Sequence, residues 1–215
     1  MNNDHKLKQD VVAELAFEPS VNSDHIGVTA KDGVVTLSGH VESYWEKDVA
    51  EMAAGRVHGV KALAEEIEVR LPFHVKRGDD EIAAAALNRL SWDVSVPKDA
   101  IKVKVEKGFV TLTGQVDWHF QKEAAAQDIR SLSGVTGVTN KTTIKLRPNT
   151  ANIRDEIMHA LHRSWLDDDN IKVSADGGKV RLTGTVDSWS DRQMAGSTAW
   201  AASGTTSVEN DIRIN

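Results

Sequence analysis

The sequence predicts an α+β protein made of three tandem α-β-β-α-β domains, and three observations lead to this fold class. First, the length of 215 residues suits three small domains of about 70 residues each. Second, a nine-residue pattern with glycine at its first and seventh positions occurs three times, as GVVTLSGHV, GFVTLTGQV and GKVRLTGTV. Third, its second glycines, Gly39, Gly114 and Gly184, are 75 and 70 residues apart and align their surroundings without gaps. The predicted domains are 1–75, 76–149 and 150–215.

The first predicted element of each repeat is a helix. Apolar residues recur at i, i+4 and i+8 ahead of each glycine pattern, which places one stripe against a core. The three stripes are Leu7/Val11/Leu15, Ile82/Ala86/Leu90 and Ile153/Ile157/Leu161. Three aromatic residues near the ends of these helices are also expected to join the core, namely Phe17, Trp92 and Trp165.

A β-hairpin follows the helix. In the middle repeat, residues 101–106 alternate apolar and polar, Lys107 and Gly108 make a tight turn, and the second strand alternates again. The other repeats have Asp32-Gly33 and Gly177-Gly178 at this turn. We interpret the central glycines of the pattern, Gly39, Gly114 and Gly184, as structural. A missing side chain at an inward strand position permits a bulge or the close approach of a helix.

A second helix and a third strand complete each repeat. Ser43 with Glu46, and Ser188 with Asp191, are spaced as capping boxes before alanine-rich stretches. A glycine and another alternating segment come next, and the short strand-helix-strand crossover predicts a third strand parallel to the second. Each repeat is therefore expected to be a three-stranded mixed sheet with two helices on one face.

Composition excludes several classes of protein. With 40% hydrophobic and 27% charged residues, the chain has the composition of a soluble globular protein. No apolar stretch approaches the roughly 20 residues of a membrane-spanning helix, and the polar start has no apolar signal region. As written, the chain is expected in the cytoplasm, or in the periplasm if it is a trimmed mature form. Zero cysteines exclude disulfides, thiolate zinc sites and thiol nucleophiles.

Charge is divided unevenly among the repeats. The net charge of -6 argues against nucleic-acid binding, but residues 1–75 carry 7 basic and 13 acidic side chains, 76–149 carry 12 and 9, and 150–215 carry 7 and 10. Only the middle repeat is basic. Its outward strand residues Lys102 and Lys104, near Lys107 and Phe109, form the best candidate patch for an anionic surface. The alternative is a solvated row of lysines that blunts a sheet edge.

An aromatic residue and a cation recur at the start of the second helix. They are Trp45 with Lys47, Trp118 with Lys122, and Trp189 with Arg192. Free amides at a helix N-terminus attract anions and an indole suits a membrane interface, so these corners are candidates for lipid or anion binding. Alternatively, the ring packs on its own domain and the cation pairs with Glu46, Glu123 or Asp191.

Motifs for catalysis or metal binding are weak. The acidic run 167–169 lacks the glycine and distal glutamate of a calcium loop, and His159 and His162 have no third ligand in register. No nucleophile elbow frames any serine. We therefore predict no metal, no cofactor and no enzymatic activity.

The repeated run Ile-x-Val, then Gly-x-Val-x-Leu-x-Gly-x-Val, an alanine-rich helix, a glycine and a last strand resembles the BON domain, the bacterial OsmY and nodulation domain. The resemblance implies a non-enzymatic bacterial module proposed to attach to phospholipid surfaces, often under envelope or osmotic stress. Three copies instead of two, and no signal peptide, depart from the OsmY-like pattern. The resulting hypothesis is attachment to anionic phospholipid, and the alternative is a protein-binding scaffold or chaperone-like adaptor without lipid affinity. The oligomeric state is not predicted.

Overall fold

Each repeat forms the same elements in the same order. In the first repeat they are α1 (Asn3–Phe17), β1 (Ile26–Lys31), β2 (Val34–Val41), α2 (Tyr44–Gly55) and β3 (Ala62–Val69). In the second repeat they are α3 (Asp79–Trp92), β4 (Ile101–Glu106), β5 (Phe109–Val116), α4 (His119–Arg130), β6 (Gly137–Asn140) and β7 (Thr143–Ile144). In the third repeat they are α5 (Ile153–His162), β8 (Ile171–Asp176), β9 (Lys179–Val186), α6 (Trp189–Ala201) and β10 (Ser207–Ile214).

The computed structural model describes residues 3–146, 152–164 and 170–214. It divides into one unit of Met1–Val116 with Phe120–Thr143, which holds most of the first two repeats, and one of Asp117–His119 with Ile144–Asn215, which holds the third. The predicted boundary between residues 149 and 150, the acidic run 167–169 and Trp165 lie outside the described residues.

The sheets have the predicted mixed topology. In the first repeat, β1 pairs antiparallel with β2, and β3 pairs parallel with β2. The third repeat has the same arrangement, with β8 antiparallel and β10 parallel to β9. The α+β prediction of three mixed sheets is therefore confirmed: the crossover through the second helix returns the chain parallel to the middle strand.

The middle repeat differs in its third strand, which comes in two pieces. β6 pairs parallel with β5 over four residues, and the short β7 then pairs with β5 again. Between the two pieces stands Thr142, which is only 2% exposed and whose hydroxyl donates to the side-chain oxygen of Asn140 at 2.6 Å. The corresponding residues of the other repeats are Ile67 and Ile212, both buried. Of these three aligned core residues, the one in the middle repeat is thus polar and the other two are apolar.

The predicted stripes of the first helices are buried. Leu7, Val11 and Leu15 join the core of the first repeat, and the other stripes are buried in the same way. The hairpin turns also agree with prediction. In the middle repeat Lys107 and Gly108 have φ of 53° and 78°, as a two-residue turn with both central residues left-handed requires.

The expectation that Phe17 and Trp92 join the core is wrong. They are 82% and 79% exposed, at the ends of α1 and α3. Each stands two residues after the last buried residue of its stripe, Leu15 or Leu90. Two residues turn a helix by about 200°, so these rings project away from the core.

The central glycines are required by the backbone and not by an approaching helix. Their φ values are 119°, 143° and 131°, a region that L side chains rarely adopt. A Cβ at each position would clash with the carbonyl oxygen of the residue just before the first strand of the hairpin. The pairs are Gly39 with His25, Gly114 with Ala100, and Gly184 with Asn170.

Candidate anion-binding surface

The open face of the middle sheet presents two lysines. Lys102 and Lys104 alternate along β4 with the buried Ile101 and the half-buried Val103, so they point away from the helices. In the antiparallel register Lys102 lies opposite Thr113 and Lys104 opposite Thr111 on β5. Because these threonines are short and uncharged, both ammonium groups can reach past them toward an external anion.

Phe109 lies on the same open face. It starts β5 and pairs in register with Gly137 of β6. Two ring carbons of Phe109 lie 2.5 Å from where a Cβ on Gly137 would stand, so the glycine makes room for the ring. The side chain remains 44% exposed, which leaves an apolar surface at the end of the lysine row.

The hairpin turn that carries Lys107 is held by α3. The carboxylate of Asp79 accepts hydrogen bonds from the backbone amides of Lys107 and Gly108, both at 2.8 Å. Asp79 is the first residue of α3, so the turn is fixed to the N-terminus of that helix while the Lys107 side chain remains exposed.

The lysines of the middle face have little internal compensation. Lys104 pairs with Glu106 at 2.9 Å, but both side chains are 68% exposed, and such pairs contribute little. No ion pair is found for Lys102 within the described residues. The middle face therefore keeps a net positive charge.

The open faces of the other two repeats are different. In the third repeat Arg181 is held by Asp211 at 2.6 Å and by Glu209 at 3.5 Å, and these carboxylates raise the pKa of Arg181. The first repeat instead exposes Glu66 and Glu68 on β3. Arg70 hydrogen-bonds Glu68 and lowers the pKa of that carboxyl group.

In the first repeat, the aromatic residue and the cation at the start of the second helix both contact residues of their own repeat. The ammonium of Lys47 lies 2.6 Å from Glu65 and donates to the carbonyl of Ile67 at 2.6 Å. Trp45 packs against the core of the first repeat. These contacts favour the structural alternative at this corner, with Glu65 and not Glu46 as the partner of Lys47.

Glu46 is occupied elsewhere. Its two carboxylate oxygens accept from the amides of Asn22 at 2.7 Å and Glu42 at 2.9 Å, while its own amide donates to the Ser43 hydroxyl. Only half of the predicted capping box forms, because the glutamate reaches past the cap to the residue before it and to the loop ahead of β1.

The corner of the third repeat is also bonded internally. The guanidinium of Arg192 donates to the carbonyl of Asn210 at 2.7 Å and lies 5.3 Å from the centre of the Trp189 ring. The amide of Asn210 donates back to the Arg192 carbonyl at 2.9 Å, which ties α6 to β10. Asp191 accepts from Ser188 at 2.7 Å instead of pairing with the arginine.

In the middle repeat, Asn140 ties the second helix to the third strand in the same way. Its side-chain amide donates to the carbonyl of Lys122 at 2.6 Å, so the backbone of Lys122 is fixed. Lys122 and Trp118 are both half-buried. The part of these two residues in anion binding stays a prediction.

An exposed apolar tip in the middle repeat was not predicted from the sequence. It consists of Leu87, Trp92 and Val94, which are 56%, 79% and fully exposed. Beside it is a groove of about 520 Å³ whose lining includes Leu90, Val96, Pro97, Lys98 and Ile101. The signal for Trp92 was its offset of two residues from the buried stripe.

The described residues include no cluster of three or more histidine, aspartate or glutamate side chains that could hold a metal ion. None of the described helices is long and apolar enough to cross a bilayer.

The chain is similar to known proteins over most of its length. A family model of the BON domain matches residues 3–70, 78–145 and 149–215. Osmotically-inducible protein Y of Escherichia coli strain K12 is 32% identical over 146 residues, which cover 66% of this chain and 73% of that protein.

Two solved structures of CdsD, a structural protein of the Type III secretion system of Chlamydia trachomatis, also match. One of them is described as its C-terminal domain. They cover 98% and 100% of this chain and 92% and 99% of theirs, at 16% and 17% identity. Their TM-scores of 0.27 and 0.28 are too low to carry an argument about fold or function.

Proposed function

Because this chain belongs to the BON domain family, we propose that it is a non-enzymatic bacterial binding protein whose middle repeat attaches to anionic phospholipid surfaces. The similarity to an osmotically inducible protein supports a role in osmotic or envelope stress. The observation that carries the lipid proposal is the open face of the middle sheet, where Lys102 and Lys104 stand over uncharged threonines and Phe109 remains exposed.

Electrostatics favours this face over the other two. An anionic bilayer attracts each nearby lysine with about 1 kcal/mol, provided that the lysine is not already neutralised. In the third repeat the exposed Asp211 and Glu209 pair with Arg181 and place two carboxylates on the sheet face, and in the first repeat the exposed glutamates of β3 would repel the bilayer. The internal bonds of Lys47 and Arg192 lead us to leave both out of the proposed surface.

Vesicle co-sedimentation tests the proposal. Vesicles of phosphatidylcholine alone are compared with vesicles of phosphatidylglycerol and phosphatidylcholine in equal parts. We expect binding only to the anionic vesicles and a decrease with added salt, because salt screens exposed charges. The double variant Lys102→Gln/Lys104→Gln should lower the affinity roughly 30-fold, for two lysines at about 1 kcal/mol each.

The matched control is Lys172→Gln/Lys179→Gln, which removes two exposed lysines from the third repeat. Lys172 aligns with Lys102. This control should keep most of the affinity, whereas equal losses in both double variants would mean that total charge and not the middle face governs binding.

A second candidate function, a protein-binding scaffold without lipid affinity, is supported by the apolar tip of Leu87, Trp92 and Val94. Exposed apolar side chains around a groove are a common feature of protein-protein contacts. Absence of binding to either kind of vesicle would reject lipid attachment and favour the scaffold.

A further inference from the structure

The first two repeats meet where α2 faces the end of α4. Asp48 in α2 and Arg130, the last residue of α4, approach to 3.5 Å. Their side chains are only 14% and 28% exposed. Burial raises the pKa of the Tyr44 hydroxyl, which also lies in α2 near Arg130. Charged groups are therefore enclosed in this joint between the two repeats.

The ion pair in the joint is incompletely bonded. Within the described residues, the second carboxylate oxygen of Asp48 and the Nε of Arg130 are buried and have no hydrogen-bond partner. The distance of 3.5 Å is longer than the usual 2.7–2.9 Å of a charge-assisted hydrogen bond. Burying a charge without full bonding is costly, so the ionised form of Asp48 is poorly accommodated here.

The surrounding charges increase this cost. The groups that act on Asp48 from α4 are Arg130 and Glu123, and Glu51 stands one turn away on α2 itself. Lys47, the nearest cation on α2, is held by Glu65 at 2.6 Å. Glu51 and Glu123 are themselves exposed, but the negative charge of Glu123 acts on the largely buried Asp48 and disfavours its ionised form. Uptake of a proton by Asp48 relieves this repulsion.

The pKa of Asp48 moves in the direction that this geometry requires. Burial raises it, Arg130 lowers it in part, and Glu123 raises it further, so that it lies above its ordinary value. A carboxyl group with a higher pKa in the closed joint than in separated repeats binds its proton more tightly when the joint is closed. Closure is therefore favoured as the pH falls through the raised pKa, and the gain is complete below the ordinary value of about 3.9.

We propose that the joint between the first two repeats is a proton-responsive hinge that tightens in acid and loosens as the pH rises. Asp48 takes up the proton, Glu51 and Glu123 supply the repulsion that the proton relieves, and Arg130 keeps the two helices in register. This device does not depend on lipid attachment.

The distance between two spin labels tests the hinge in the full chain. Because the chain has no cysteine, single cysteines placed at the exposed Lys8 and Asn88 label one site in each of the two repeats. We expect a broad distance distribution at pH 8 that narrows progressively as the pH is lowered toward 4, close to the ordinary pKa of an aspartate. Each pKa unit between the closed and open joints multiplies the ratio of closed to open molecules by about ten.

Two variants separate the hinge from a general effect of acid. Asp48→Asn imitates the protonated side chain and should give the narrow distribution at every pH. The third repeat has Gln193 at the aligned position, so a neutral amide is compatible with this helix. The control Glu66→Gln removes an exposed carboxylate on β3 and should leave the pH response unchanged.

The hinge would be rejected by a distribution that does not change with pH, or by an equal pH response in the Asp48→Asn protein. Far-UV circular dichroism at each pH confirms that the repeats remain folded. Should Asp48→Asn fail this check, Glu123→Gln removes the facing carboxylate from the other helix and should reduce the response in its place.

Discussion

Lys47 connects the second helix of the first repeat to its third strand, since its ammonium group lies 2.6 Å from the carboxylate of Glu65 and 2.6 Å from the carbonyl oxygen of Ile67. Both charged side chains are about three-quarters buried or more. The third repeat makes the same connection with different chemistry, through Arg192 and the carbonyl of Asn210. Glu65 and Asn210 also bond the backbone amide two residues further on, Ile67 or Ile212. In the first and third repeats, the cation at this corner therefore ties the second helix to the third strand.

Replacing Lys47 with methionine should destabilise the first repeat. The substitution keeps the apolar stem but leaves Glu65 without its cation, at a cost of about 1–2 kcal/mol in the free energy of unfolding. Urea denaturation measures the total, and hydrogen exchange assigns it to the first repeat. The control Lys8→Met alters an exposed lysine of α1 and should change the stability by less than about 0.5 kcal/mol. Equal effects of both substitutions would contradict the structural role of the corner.

The substitution Gly114→Ala should be among the most damaging single changes in the chain. Its φ of 143° and the carbonyl oxygen of Ala100 leave no room for a Cβ. The combined strain should cost more than about 3 kcal/mol. Gly177 is the matched control, because its φ is 53° and nothing lies near its Cβ position. Gly177→Ala should cost only about 1 kcal/mol in the same urea titration. Similar midpoints for the two variants would show that the backbone at Gly114 can relax.

Ile67 and Thr142 occupy the same aligned core position in the first and middle repeats, and we expect substitutions there to affect stability differently. Ile67→Thr introduces a hydroxyl and removes apolar volume at a site that is 3% exposed, so we expect a loss of about 2 kcal/mol. Thr142→Val removes a hydrogen bond but adds apolar contact, and should change the stability by less than about 1 kcal/mol. Hydrogen exchange resolved by repeat measures both. A loss after Thr142→Val as large as that after Ile67→Thr would mean that the bond to Asn140 is essential to the middle sheet.

Most of the fold could be predicted from the sequence because each repeat shows the same periodicities. The i, i+4, i+8 stripe of Leu7, Val11 and Leu15 indicates a buried helix face without any knowledge of its neighbours. The left-handed turn residues of the hairpin are likewise a local signal, since Lys107 and Gly108 are adjacent. Because the three repeats align, the same pattern is seen three times, which supports assignments that a single repeat would leave open.

Predictions about individual partners succeeded less often, because partners are set by tertiary contacts. The sequence places Glu46 next to Lys47, but Glu65, 18 residues away, reaches the ammonium group once β3 lies parallel to β2. Trp92 looks like a core residue by type, yet its position on the helix turns it outward. The pairing of Asp48 with Arg130 joins two repeats and has no local signature.

Each described sheet takes all its strands from one repeat, so no strand crosses from one domain into another. This arrangement bears on how the protein is made. The first repeat has every strand it needs once residues 3–70 have left the ribosome, and its sheet can form while the third repeat is still being translated. Strand exchange between neighbours of the same fold is a known hazard of tandem domains, and folding one repeat at a time during synthesis reduces it.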